Sequence, residues 1–69
     1  MTYRHAKMIL AFAENDMKVK ATADKIYSSE GCLAYQFDKI HKETGLNPRK
    51  FFDLVTLVEM AKRRIYGNQ

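Results

Sequence analysis

Residues 19–40, with the sequence VKATADKIYSSEGCLAYQFDKI, constrain the fold of this chain more than any other stretch. Its first part carries small residues, and Ser28 and Ser29 then interrupt the helical pattern. Serine is a preferred N-cap, so a second helix is expected to begin at Ser29 or Glu30. Its apolar face repeats at i, i+4 and i+7, with Leu33, Phe37 and Ile40. The same spacing turns four residues outward: Ala34, Gln36, Asp38 and Lys39. The stretch predicts a helix, a tight turn and a longer helix.

A helix is also predicted before this central pair. Thr2 is a suitable N-cap for a helix over residues 2–14, and the turn-forming residues Asn15 and Asp16 end it. Its core side is expected to hold Ala6, Ile9, Leu10 and Ala13, beside Met8 and Phe12. The residues expected near solvent are Arg4, Lys7, Ala11 and Glu14.

The longest helix is predicted at the end of the chain. Gly45 is the residue type that best closes a helix, so the preceding helix is expected to end at Thr44. Asn47 and Pro48 are preferred at the N-cap and first position of a helix, which predicts a last helix over residues 48–66. One face of it carries Phe51, Leu54, Val55, Val58, Ala61 and Ile65.

The apolar surface of this last helix exceeds what one short partner helix needs. Phe52 and Leu57 widen the apolar face, and Met60 lies nearly opposite. Two interpretations are open. Either the other helices wrap around it, or part of it is a homodimer interface, for which the candidates are Phe52, Leu57, Met60 and Ala61.

The composition indicates one small folded domain. A chain of 69 residues has room for a single small core, so one domain over residues 1–69 is expected, with little space for an enzyme cleft. A hydrophobic content of 46% with 29% charged residues is typical of a globular protein. With four helices in prospect and no strand pattern, the fold class is predicted to be all-α, a helix-turn-helix with four helices of which the last is long.

Several functional classes find no support in the sequence. The single cysteine, Cys32, cannot form an internal disulfide, and no Cys/His spacing indicates a metal or cofactor site. His5 and His41 are taken as isolated surface residues. No carboxylate pair or glycine-rich phosphate loop suggests an enzyme. No apolar run approaches the roughly 20 residues that span a bilayer, and the start of the chain lacks the pattern of a signal peptide. A cytoplasmic protein without membrane contact is expected.

The charge favours a polyanionic partner. The net charge is +4 and the pI is near 9.4, which is compatible with nucleic acid. The basic excess lies before residue 26 and after residue 48, whereas the helix between them has more acidic than basic residues. The run Lys62-Arg63-Arg64 complements the negative end of the last helix, or contacts phosphates.

Several short motifs match a known family in the correct order. They are Phe12 and Asn15, the Ala-Thr-Ala of residues 21–23, Leu33 with Tyr35, Lys39 with Ile40, and the Thr-Gly-Leu of residues 44–46. Over residues 9–58 the chain resembles the C-terminal helix-turn-helix domain of PucR-type and sugar-diacid regulators, and their short stand-alone relatives from phages and mobile elements. From Lys42 it also resembles the second DNA-binding half of AraC-type regulators. Both resemblances imply a helix-turn-helix fold.

The chain departs from these families where DNA would be read. Two arginines of the usual pattern are replaced by Glu30 and Gln36, and Glu30 would repel phosphates. Gly31 weakens the helix by about 1 kcal/mol relative to alanine. The serine that usually precedes Ala-Thr-Ala is Lys20, which caps poorly but could reach a phosphate. The resemblance therefore implies the fold more strongly than it implies sequence-specific binding.

The leading functional hypothesis is a small transcriptional regulator that binds double-stranded DNA in the major groove, as a homodimer. The predicted DNA-binding residues are Lys18, Lys20, Thr22, Ser29, Glu30, Gly31, Cys32, Tyr35, Gln36, Lys39, Arg49 and Lys50. Each has a structural alternative, such as helix packing for Tyr35, a solvated face for Gln36 and first-turn ordering for Thr22. The competing hypothesis is a protein-interaction module, such as an antirepressor or inhibitor from a mobile element, that reuses the fold.

Overall fold

The computed structural model describes residues 1–67, which form four α-helices joined by short connections. The helices are α1 (Tyr3–Glu14), α2 (Val19–Lys25), α3 (Glu30–Thr44) and α4 (Phe51–Tyr66). α2 and α3 pack against each other across a connection of residues 26–29, and α4 is the longest helix. The predicted all-α architecture, a helix-turn-helix with a long last helix, is confirmed. None of these helices is both long enough and apolar enough to cross a bilayer.

Three predicted helix ends are confirmed by their capping hydrogen bonds. The Thr2 hydroxyl accepts a hydrogen bond from the backbone N–H of His5 at 3.0 Å, which caps α1. The Ser29 hydroxyl accepts from the backbone N–H of Cys32 at 3.0 Å, so α3 begins at Glu30. Gly45 closes α3 with φ of +77°, a left-handed conformation that costs glycine little.

The predicted start of the last helix is wrong by three residues. Asn47 does accept a hydrogen bond, from the backbone N–H of Arg49 at 3.0 Å, but through a local turn. The backbone N–H of Lys50 donates to the Asn47 carbonyl at 3.0 Å and closes that turn. Lys50 is then extended, with φ −100° and ψ 128°, so helical geometry resumes only at Phe51.

α1 and α4 run antiparallel and form the longest helix pairing. The C-terminal end of α1 lies beside the N-terminal end of α4, and Tyr3 near the start of α1 lies beside Arg64 near the end of α4. The Phe12 and Phe37 rings meet edge to face, with centroids 4.8 Å apart, and join α1 to α3. Ala11 was expected near solvent and is buried, because neighbouring helices cover more of the circumference of α1 than one stripe requires.

The buried stripe of α4 is rotated from the one predicted. Leu54, Leu57 and Ala61 are buried, whereas Phe51, Phe52 and Val55 are exposed. Leu57 and Ala61 were candidates for a dimer interface, and that prediction is wrong because both are fully buried within the chain itself. Of the other two candidates, Met60 is half-buried and Phe52 is 83% exposed.

Candidate nucleic-acid interface

The outer side of α3 is open to solvent. Leu33, Phe37 and Ile40 fix the opposite side of this helix in the core. Within residues 1–67, no Cα atom of α3 comes within 8 Å of a Cα atom of α4, so the long helix does not cover α3. The exposed residues of α3 are Glu30, Gly31, Tyr35, Asp38, Lys39, His41, Lys42 and Glu43.

Most of the predicted DNA-binding residues are accessible. Those exposed are Lys18, Lys20, Ser29, Glu30, Gly31, Tyr35, Lys39, Arg49 and Lys50. Tyr35 is 60% exposed. Lys20 lies 4.0 Å from Asp24 one turn along α2, an exposed pair that solvent screens. Cys32 is half-buried, and its sulfur lies 3.7 Å from Nη2 of Arg4 on α1.

Gln36 faces the interior, and the prediction that its side chain is exposed for reading DNA is wrong. Its side chain is 9% exposed, and its amide oxygen lies 2.7 Å from Nε2 of His5, which is also buried. Because an amide oxygen can only accept, the Nε2–H of His5 donates this bond. The bond joins α1 to α3 inside the core, so the prediction that His5 lies on the surface is also wrong.

Thr22 is likewise unavailable to a phosphate. Its side chain is fully buried, and its hydroxyl donates to the carbonyl of Lys18 at 2.7 Å. Threonine in a helix often bonds back to the carbonyl four residues earlier, which satisfies the hydroxyl without solvent. The alternative interpretation, that Thr22 orders the first turn of α2, agrees with this bond.

The Arg49 side chain connects the loop after α3 to α3 itself. Its guanidinium lies 3.3 Å from Asp38, 3.4 Å from the Ala34 carbonyl and 5.6 Å from the centre of the Phe37 ring. These contacts hold the residue 47–50 turn against α3. They also neutralise Asp38, one of the acidic groups on the outer side of the helix.

The remaining charges on α3 are mixed in sign. Glu30 lies in the first turn, where the positive end of the helix dipole stabilises it. Lys39 and Lys42 are exposed further along, and Glu43 lies 3.9 Å from the buried ring of His5. The outer side of α3 is therefore close to neutral once Asp38 is paired with Arg49.

Sequence reasoning missed a second group of basic residues. Arg4 and Lys7 from α1 and Lys25 at the end of α2 line one open cavity together with Tyr3 and Tyr27. These residues come from two separate segments, and only the packing of α1 beside the α2–α3 connection brings them together. The one local signal is Tyr27, which stands where helix-turn-helix connections often carry glycine.

Comparisons with known proteins give no relative from which a function could be inferred. The chain matches no family model, no curated protein and no solved structure. The resemblance to PucR-type, sugar-diacid and AraC-type regulators therefore stays a prediction. Among residues 1–67, no three His, Cys, Asp or Glu side chains lie together as metal ligands would.

Proposed function

We propose that this protein is a non-catalytic helix-turn-helix module that binds double-stranded DNA through the outer side of α3 and regulates transcription. The observation that carries the proposal is the uncovered outer side of α3 together with Gly31 in its first turn. A Cβ atom added at Gly31 would have no heavy atom within 4 Å. The fold itself does not require glycine there, whereas a partner that approaches the backbone closely does.

The charges around α3 suit contacts to the DNA backbone rather than to base edges. Lys18 and Lys20 at the start of α2, Lys39 on α3 and Lys50 before α4 are all exposed cations. Such residues position a protein on phosphates and make its affinity depend steeply on salt. Base contacts would fall to Tyr35 and to the residues of the first turn, since Gln36 is buried. Modest sequence specificity follows from this arrangement.

Self-association is part of the proposal, with a revised interface. An exposed apolar patch at the N-terminal end of α4 consists of Phe51, Phe52 and Val55. The rings of Phe51 and Phe52 pack edge to face, with their centroids 5.4 Å apart. Large exposed apolar groups next to one another mark interaction surfaces more often than isolated ones do. A two-fold homodimer that places α3 in the major groove requires half-sites about one helical turn apart.

The same patch favours a second candidate function. A protein-interaction module, such as an antirepressor, would use the apolar patch for a different protein and would have no need of basic residues beside α3. The nearly neutral outer side of α3 agrees with that alternative. The two functions differ in how binding responds to salt, because only DNA binding releases condensed counterions.

Fluorescence anisotropy with a labelled DNA duplex of about 20 base pairs tests the proposal. Affinity is measured between about 50 and 200 mM salt for the unmodified protein, for Lys20→Ala with Lys39→Ala, and for Lys62→Ala with Arg63→Ala. The first double variant removes two proposed phosphate contacts. The second removes the same charge from α4, whose backbone does not approach α3.

The expected result is salt-dependent duplex binding whose slope falls by about two in the α2/α3 variant and is unchanged in the α4 control. No duplex binding at the lowest salt would refute the proposal and favour the protein-interaction module. Equal losses in the two variants would also refute it, because they would show attraction by net charge alone.

A further inference from the structure

An open groove lies beside the N-terminal half of α1 and the connection between α2 and α3. Its volume is about 590 Å³. Its base includes Met8 and Ile26, and its walls carry three basic residues and two tyrosines, which are Arg4, Lys7, Lys25, Tyr3 and Tyr27. We call this feature the α1–turn groove. It borders the start of α3, since Arg4 contacts Cys32.

The α1–turn groove is positively charged. None of its lining residues is acidic. Within the part of the chain that the structure describes, no carboxylate lies within 4.0 Å of the charged groups of Arg4, Lys7 or Lys25. Arg64 from α4 adds a fourth cation at the edge, 5.8 Å from the centre of the Tyr3 ring, and Lys7 lies 5.5 Å from the same ring. Unpaired cations along one groove suit a chain of phosphates.

The backbone conformation of Tyr27 indicates a second chemical group on the ligand of this groove. Tyr27 has φ of +56°, a left-handed conformation that bulky residues rarely adopt. The conformation is imposed by a helix end in which the N–H of Ser28 donates to the Ala23 carbonyl at 2.8 Å and the N–H of Tyr27 donates to the Asp24 carbonyl at 3.3 Å. Glycine usually occupies this position because it adopts the conformation without strain.

The Tyr27 side chain makes no contact within residues 1–67 that would offset this backbone strain. It is 97% exposed, so neither packing nor a core hydrogen bond explains a tyrosine here. Both faces of its ring are open. Strained residues that the fold does not need are concentrated at functional sites. An exposed ring beside cations fits a planar, uncharged group attached to a phosphate chain.

We propose that the α1–turn groove binds single-stranded nucleic acid, with phosphates on Arg4, Lys7 and Lys25 and one unpaired base stacked on Tyr27. A duplex would not use the ring, because its bases are already stacked on their neighbours, whereas every unpaired base offers a free face to an aromatic side chain. An acidic peptide would satisfy the cations but not the ring. This proposal goes beyond duplex binding by α3 and does not depend on it.

The test measures the anisotropy of a labelled oligothymidylate of about 15 nucleotides with the full chain. Tyr27→Gly is the central variant, because glycine removes the ring and relieves the backbone at once. Its melting temperature is expected to rise by about 4–8 °C, so any loss of binding would not reflect unfolding. Its affinity for the oligothymidylate is expected to fall about tenfold.

An abasic strand of the same length separates stacking from charge. It carries the same phosphates and no bases, so the unmodified protein is expected to bind it about tenfold more weakly, whereas Tyr27→Gly is expected to bind both strands alike. Arg4→Gln with Lys7→Gln is expected to weaken the binding of both strands. The matched control, Lys62→Gln with Arg63→Gln, removes the same charge from exposed positions that do not line the groove and is expected to leave both affinities unchanged.

Four outcomes would overturn the proposal. They are unchanged oligothymidylate affinity in Tyr27→Gly, equal losses in the groove and control variants, a duplex that binds as tightly as the single strand in a Tyr27-dependent manner, or displacement of the strand by polyglutamate as readily as by unlabelled strand. Failure of the α3 proposal is distinguishable, because Lys20→Ala with Lys39→Ala changes duplex binding without touching this groove.

Discussion

The buried pair of His5 and Gln36 yields a prediction that separates stability from DNA binding. Replacing Gln36 by leucine keeps the size of the side chain but removes the only acceptor that residues 1–67 give to the Nε2–H of His5. A buried donor left without a partner costs about 1–3 kcal/mol. For a domain of 69 residues the free energy of unfolding is about 3–10 kcal/mol, so the loss is a large fraction of the total.

Urea unfolding followed by circular dichroism measures this effect. With a denaturant slope near 1 kcal/mol per molar, typical of a small domain, the midpoint of Gln36→Leu is expected to fall by about 1 M or more. Lys42→Ala is the control, because Lys42 is exposed on the same helix, and its free energy of unfolding is expected to change by less than about 0.5 kcal/mol.

A double-variant cycle shows whether the two side chains act as a pair. His5→Phe combined with Gln36→Leu replaces both polar groups, so no unpaired donor is left and the combined loss is expected to be smaller than the sum of the single losses. Under conditions where Gln36→Leu is folded, its duplex affinity is expected to match that of the unmodified protein. Unchanged stability with weakened duplex binding would refute the reasoning, since Gln36 would then act at the surface.

Three other predictions concern single features of the fold. Gly31→Ala is expected to raise the free energy of unfolding by about 0.5–1 kcal/mol, whereas Gly45→Ala is expected to lower it by about 1–2 kcal/mol because φ is +77° there; thermal melts of the two variants check the opposite signs. Arg49→Ala is expected to cost no more than about 1 kcal/mol in urea unfolding, because its pair with Asp38 is largely exposed, and a larger loss would mean that the turn depends on it. Phe52→Ser is expected to shift the mass measured by light scattering toward the monomer without lowering the melting temperature, and an unchanged mass distribution would exclude Phe52 from self-association.

Helix ends could be predicted from the sequence because capping is local. Thr2, Ser29 and Gly45 act within one turn of the helix that they begin or end, so residue type alone identified them. The start of α4 is the exception. Asn47 and Pro48 favour a turn as strongly as a helix start, and the hydrogen bond from the N–H of Asn47 to Asp53 is formed only once α4 has begun downstream.

Which side of a helix is buried was predicted less well, because that depends on neighbouring helices. Residues at the centre of each stripe, such as Leu33 and Phe37, were identified by spacing. Gln36 was predicted to face outward and Leu57 to lie at the edge of its stripe, but both are buried, Gln36 against His5 of α1 and Leu57 in the core between the helices. A polar residue such as Gln36 is assigned to the surface by default, and only the position of His5 on another helix reveals its buried partner.

The sequence opposes local preference at several positions, and two of them lie at the candidate binding surfaces. Asp16 and Met17 also have positive φ at the end of α1, but Met17 packs against the core. Tyr27 occupies a left-handed position that suits glycine, and Gly31, four residues later, occupies a helical position with free space that suits alanine. Replacing Tyr27 by glycine or Gly31 by alanine would stabilise the isolated chain. Folding therefore explains neither Tyr27 nor Gly31. Natural sequences are locally consistent except where function requires otherwise. Tyr27 and Gly31 flank the Ser29 cap at the start of α3, with an exposed ring on one side and a residue without a side chain on the other. Both positions lie on the α2–α3 connection or in the first turn of α3, which is the region shared by the α1–turn groove and the proposed duplex interface, so the two proposals predict that substitutions there affect binding more than folding.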